Sequence, residues 1–232
     1  MTGGGPSATR VARSAPSREI WGWPARRRGR GDTMPSPAPS GLAPGFLVAA
    51  PALGDPNFAG SLVLMAEHHG EGALGFVVNR PGPVTVAEVL ASVDEDLRRA
   101  AEANGRAGAP VLVGGPVQPE RLWILFRPGG IGADAEGAVP VGNGLSLGGS
   151  RELLEALVRA PRGDPFLLLL GYAGWAPMQV EREVAAGAWV PLELEGSDLV
   201  FDVPLEQRWE TAVRRLGLEP GGFLVGGGGA SA

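Results

Sequence analysis

Hydrophobic positions in this chain fall first into short runs and alternations, and later recur at helical spacing. Phe46–Ala50 and Ser61–His68 read as strands, separated by the Asp55-Pro56-Asn57 turn signal. Ala73–Asn79 is a third strand, joined to the second through His69-Gly70-Glu71-Gly72, a length suited to a hairpin. Pro110–Val113 and Arg121–Arg127 are strands flanking Gly114-Gly115-Pro116, and Asn143-Gly144 reads as a two-residue hairpin turn between short strands. Phe166–Leu170 is a continuous apolar run, which predicts a central strand covered on both faces. Trp189–Leu194 and Leu199–Val203 complete the predicted strands.

Helix signals lie between these runs. Thr85 with Glu88, and Ser92 with Glu95, have capping-box spacing, in which hydroxyl and carboxylate satisfy each other's backbone amides. The second of these helices is expected to stop at Asn104-Gly105. Ser150 caps a helix through Ala160 that places Leu153, Leu154 and Leu157 on one face. Pro177 opens a helix ending at Gly187, and the last helix runs from Pro204 to Gly217 with a stripe of Leu205, Trp209, Val213 and Leu216. Hairpins mixed with helices, without a repeating strand–helix–strand unit, predict an α+β fold. The pattern spans one domain from about Leu42 to Val225.

Charge separates the ends from this domain. Residues 1–33 hold seven arginines against Glu19 and Asp32, with no hydrophobic period. Two readings fit them: a basic arm led by Arg26, Arg27 and Arg28 that touches nucleic acid, or a start assigned too early, with Met34 the true first residue. The second is preferred. Residues 1–41 are then a basic, Pro-rich disordered leader, and 226–232 a flexible Gly-rich tail. From Met34 onward, 13 arginines face 23 acids, so the domain is strongly acidic.

The chain has no cysteine, which removes disulfides and thiolate metal sites. No apolar run approaches the roughly 20 residues of a membrane-spanning helix, and no secretory signal pattern is visible. The expectation is a soluble cytoplasmic protein that uses no membrane.

Most motifs fail as catalytic sites. Gly144-Leu145-Ser146-Leu147-Gly148 matches a nucleophile elbow, but both histidines, His68 and His69, precede it, and the Asn-Gly turn puts Ser146 inside a strand. Glu67 and His68, with Asp55, make a general acid–base site conceivable, against a structural role at a strand end, which is preferred. Adjacent histidines on a strand point to opposite faces, so the pair is not expected to bind one metal. Gly114-Gly115-Pro116 lacks the helix N-terminus of a phosphate loop, and no lysine exists to serve one. Those glycines are expected to serve a tight turn. Gly171-Tyr172-Ala173-Gly174-Trp175 reads as a strand-to-helix turn whose aromatics line a pocket or cover the core.

Several blocks in register carry a family resemblance. They are Gly45–Pro51 with Asp55-Pro56-Asn57-Phe58, Ser61 leading to Glu67-His68, and Gly72–Pro81 containing Asn79-Arg80. They continue with Gly114-Gly115-Pro116-Val117, then Gly171–Trp175 with Gln179 and Glu181, and the later Trp189. In this order, over roughly Leu42 to Leu216, the chain resembles the YqgE/AlgH family of bacterial proteins. The resemblance implies a bifurcated mixed or antiparallel sheet folded into a pseudo-barrel with packed helices. It implies no cofactor, metal or catalytic residue, and the family's name links it to regulation of alginate production. Two positions depart from the family pattern: Met178 where Gly is usual, and Phe126 where His is common.

These readings converge on a non-catalytic regulatory or ligand-binding protein. Its candidate surface comprises Asp55, Glu67, His68, Asn79, Arg80, Gly114, Gly115, Pro116, Tyr172, Trp175, Gln179 and Glu181. Asn79 and Arg80 suggest a small anionic ligand, with a protein partner as the other option. The alternatives are a hydrolase using Glu67, His68 and Asp55, and a nucleic-acid-associated regulator acting through the basic arm. Direct DNA binding by the acidic domain is not expected.

Overall fold

The computed structural model describes residues 41–51, 53, 55–129, 137–160 and 164–225. The expected leader before residue 41 and the tail from 226 lie outside them. Among the described residues ten strands carry the fold. In chain order they are β1 (Gly45–Ala49), β2 (Leu62–His69), β3 (Gly72–Val77), β4 (Pro81–Thr85), β5 (Pro110–Val113), β6 (Val117–Phe126), β7 (Val139–Gly142), β8 (Leu145–Gly148), β9 (Phe166–Trp175) and β10 (Trp189–Glu193). The hydrogen-bonded order is β10-β1-β2-β3-β9-β6-β8-β7, with β4 on β5 and β5 on β9. All pairings are antiparallel except β5 with β9. The sheet curls into a half-barrel, the α+β architecture that the family resemblance implies.

The bifurcation is made by β9. Its first half pairs with β6 from Leu170 to Phe166 and with β5 at Leu169 and Leu170, while Ala173–Trp175 pairs with β3. At the break in the β6 ladder, between Leu170 and Tyr172, which pairs with Val117, Gly171 takes a φ of 71°, a left-handed value that bends the strand from one half to the other. Gly171–Trp175 is therefore strand, not the strand-to-helix turn its glycines suggest. Gly114 closes the fork, accepting from Val77 N at 2.8 Å and donating to Leu170 O at 2.7 Å. At Gly115 a Cβ would stand 2.2 Å from the Tyr172 carbonyl carbon, so only glycine permits this approach.

Helices α1 (Val86–Val93), α2 (Glu95–Ala103) and α3 (Arg151–Arg159) share a core with the forked half of the sheet, where Leu90, Leu97, Leu153 and Leu157 meet Ile124, Phe126 and Leu168. Phe126 is wholly buried there. The box at Thr85 and Glu88 forms as its spacing predicts. The second box does not. Asp94 caps α2 through Asp96 N, and Ser92 turns its hydroxyl back onto Val89 O inside α1. A carboxylate one residue before the helix outcompetes a hydroxyl three before it.

Helix α4 (Gln179–Ala185) starts two residues later than Pro177 suggests, with Met178 as its left-handed N-cap. The run Leu199–Val203 is not a strand. Helix α5 (Asp198–Phe201) occupies it, because Leu199 and Val200 are both buried and a strand would send neighbours to opposite faces. The predicted last helix divides into a 3-10 turn over Leu205–Gln207 and α6 (Arg208–Arg215), which buries Trp209 and Val213, and a short α7 (Pro220–Val225) follows.

The ends of the sheet approach without pairing. The β7–β8 hairpin turns through Asn143 and Gly144, both at positive φ, as Asn-Gly predicts. Asn143 Nδ2 donates to Leu194 O, just beyond β10, and Gly142 packs on Pro44, just before β1. The two outermost strands each carry a proline within them, Pro191 in β10 and Pro140 in β7.

Candidate functional site

A cavity of about 130 Å³ lies where the 55–60 loop, the end of β9, α4 and the start of β10 meet. Asp55, Phe58, Pro116, Trp175, Gln179, Glu183 and Trp189 contribute to its lining.

The loop is built to present Phe58. Asp55 Oδ1 accepts from Asn57 N at 2.8 Å, an Asx turn, and Asp55 O accepts from Phe58 N and Ala59 N. Ser61 Oγ donates to Phe58 O at 2.7 Å. Asn79 bridges Leu62 N and Gly60 O, and Arg80 donates to Asn57 O and Ala59 O. The pair that sequence suggested as anion donors therefore holds the loop in place.

The opposite wall is set by α4. Gln179 Oε1 accepts from Ala176 N at 3.0 Å, and Gln179 Nε2 donates to Glu183 Oε1 at 2.9 Å, a contact made possible by their i,i+4 spacing. The other oxygen of Glu183 accepts from both indoles, Trp175 Nε1 and Trp189 Nε1, each at 2.9 Å. Two buried tryptophans and one half-buried carboxylate thus form a single unit. Phe58 completes it, its ring centroid 6.3 Å from Trp175 and 5.6 Å from Trp189.

The remaining candidates lie apart from the cavity lining. Tyr172 points to the other face of β9, edge-on to Trp123 at 6.2 Å. Gly114 and Gly115 serve the fork, and only Pro116 of that turn reaches the cavity. His68 Nδ1 accepts from Leu42 N at 3.0 Å and its Nε2 faces Glu181 Oε1 at 2.9 Å. Accepting at Nδ1 assigns the proton to Nε2, which donates to the carboxylate. Burial raises the affinity of Glu181 for its proton, but its own backbone amide and His68 outweigh that and hold the carboxyl below its ordinary range. Glu67 pairs with His69 instead, at 3.6 Å. Among the described residues no three histidines, aspartates or glutamates gather into a metal site, and no helix is long and apolar enough to cross a membrane.

Sequence reading named Asp55, Pro116, Trp175 and Gln179 for this site but did not select Phe58, Glu183 or Trp189. The signal for Glu183 was its place one turn beyond Gln179. The signal for Phe58 and Trp189 was their membership of the matching blocks.

A family model described as DUF179, AlgH-like, matches residues 46–221. The chain belongs to the AlgH-like family. A UPF0301 protein of Anaeromyxobacter dehalogenans strain 2CP-1 is 77% identical over 199 residues, covering 86% of this chain and 100% of the relative. One from Ralstonia nicotianae is 38% identical over 188 residues, covering 81% and 95%. Among solved structures, the solution structure of the AlgH protein from Pseudomonas aeruginosa is similar, with a TM-score of 0.64 and 30% identity over 86% of this chain and 100% of that one. A crystal structure of a Corynebacterium diphtheriae protein, at 22% identity, TM-score 0.60 and coverage of 83% and 93%, shares the AlgH-like fold.

Proposed function

We propose that this AlgH-like protein is a non-catalytic binding protein, and that its ligand occupies the cavity between Phe58, Trp175, Glu183 and Trp189. The observation that carries the reading is the Glu183 carboxylate, which ties two indoles and Gln179 into a rigid wall facing a loop stapled from three sides. Such preorganised aromatic and polar groups around a cavity serve recognition. An acid–base role for His68 is disfavoured, because both ring nitrogens are engaged and its lone pair is taken by the Leu42 amide. Asp55 belongs to the cavity while Glu67 and His68 do not, which separates the proposed hydrolase set.

Among the described residues the cavity lining carries two carboxylates and no arginine, which counts against the small anion that Asn79 and Arg80 suggested. Any regulatory role is read as indirect. With 13 arginines against 23 acids from Met34 onward, the domain repels the phosphate backbone. The setting we assign is the cytoplasm.

Ligand-observed NMR against a mixed metabolite library tests the reading, followed by mapping on the indole N–H signals of Trp175 and Trp189. We expect at least one compound to shift both signals without being converted. Turnover of a compound that is lost in His68→Ala would overturn it, as would hits that leave both indoles untouched.

A further inference from the structure

Independently of that cavity, we propose that His68 is a pH-operated latch: it holds the chain entering β1 against α4 and releases it when the imidazole takes up a proton. The entry is held thinly. Among the described residues, the Leu42 amide donating to His68 Nδ1 at 3.0 Å is the one hydrogen bond that anchors residues 41–44. Leu42 and Ala43 are only partly buried where they pack on the core. The far side of the ring is held more firmly. His68 lies within the β2–β3 ladder, and its Nε2 donates to Glu181 Oε1 at 2.9 Å.

This arrangement depends on the proton. A neutral imidazole has one donor nitrogen and one acceptor, and here each is used. The proton that makes an imidazolium adds at Nδ1, and it takes the lone pair that the Leu42 amide needs. Two N–H groups then face each other, and attraction becomes repulsion. The bond to Glu181 gains from the same event, because a cation donates to a carboxylate more strongly than a neutral ring does. His68 therefore stays on α4, and the chain entry gives way. Imidazole is the side chain that changes charge near neutral pH.

The other ionisable groups around the ring leave this outcome in place. Arg182 lies beside Glu181 on α4, and Glu67 and His69 on β2 pair with each other at 3.6 Å. Glu71 stands in the hairpin beyond, with its amide on His69, and Ala73, opposite His68 in β3, is uncharged. Glu181 is the one carboxylate paired with His68 among the described residues, and it gives up its own proton readily, so it stays an anion while the ring titrates. The latch is closed above the His68 transition and open below it, and by linkage the open form binds the proton more tightly. Release has a place to act. Gly41 and Leu42 line a cavity of about 300 Å³ completed by residues that include Pro44, Phe46, Pro191 and Leu192, and freeing them loosens one of its walls.

NMR on the full chain across a pH series tests the latch. The readouts are the tautomer and charge of His68, from its ring nitrogens, and the exchange protection of the Leu42 amide, corrected for the intrinsic pH dependence of exchange. We expect Leu42 protection to fall by about tenfold, the factor one net hydrogen bond supplies, over the range in which His68 titrates, while the β2–β3 ladder keeps its protection. His68→Asn places an amide oxygen near the position of Nδ1, which accepts but takes no charge, so protection should persist and lose its pH dependence. Glu181→Gln keeps an acceptor for Nε2 and removes the anion, so the ring transition and the loss of protection should move together to lower pH. His69→Gln should move neither.

A proton resident on Nδ1 rather than Nε2 at neutral pH would overturn the proposal. Leu42 protection that stays constant while His68 titrates, or a loss that follows His69 instead, would do the same. Should His68→Asn not fold, the joint movement in Glu181→Gln decides alone, and separate movement of the two readouts there would sink the latch.

Discussion

Met178 holds a φ of 61° at the N-cap of α4, with 56% of its surface exposed and no side-chain capping bond. A left-handed conformation is costly for a side chain with a Cβ and free for glycine. Met178→Gly is therefore expected to stabilise the protein by about 1 kcal/mol, less whatever the unfolded chain gains in freedom. Urea unfolding midpoints at constant m-value check this. Gly115 gives the opposite case. Its added Cβ would meet Tyr172 backbone, which cannot rotate away, so Gly115→Ala is expected to cost about 3 kcal/mol or prevent folding, read from the same titration. Single residues of this kind were partly legible in the sequence. That glycine was needed at Gly114-Gly115 followed from its place between strands, but the backbone it approaches lies far along the chain. His68 and Glu181 were both singled out, yet nothing local announces that a side chain in β2 meets one in α4. Glu183 escaped selection for the same reason, since a carboxylate on a helix is most often solvated and only the fold brings two indoles to it.

Elements were read best where their signals are local. The capping box at Thr85, the Asn-Gly hairpin and the stripe of α3 all depend on neighbours within a few residues, and all form. The length of β9 was not legible, because its glycines punctuate the pattern while β3, remote in sequence, extends the ladder through them. Helix α5 failed for a different reason: a short apolar run fits a strand or a buried helical turn equally well. Its stability now gives a prediction. The Arg215 guanidinium donates to Asp198 and holds that carboxyl below its ordinary value of 3.8. A carboxyl depressed by folding adds stability above its unfolded value, and that stability fades as pH falls through the folded one. Asp198→Asn should therefore be less stable than the parent at neutral pH. The two should converge below about pH 4, in urea midpoints followed across an acid series. The effect is small because both side chains are partly exposed.

At the scale of the whole molecule, the half-barrel is held at its mouth by contacts that involve no ladder. Asn143 reaches Leu194 O and Gly142 rests on Pro44. Asn143→Ala removes the bond and is expected to cost about 1 kcal/mol. Hydrogen exchange should quicken most at the β7–β8 hairpin and the end of β10, while the central β2–β3 amides quicken only as far as global stability falls. Loss of protection spread evenly over the sheet would show that this contact does not act locally. The prolines in the two outermost strands have a separate consequence. A chain approaching either flank to extend the sheet meets Pro191 or Pro140, residues with no amide hydrogen to offer. Each of these two borders lacks one main-chain donor that a pairing strand would use, which weakens it as a template for another polypeptide's main chain.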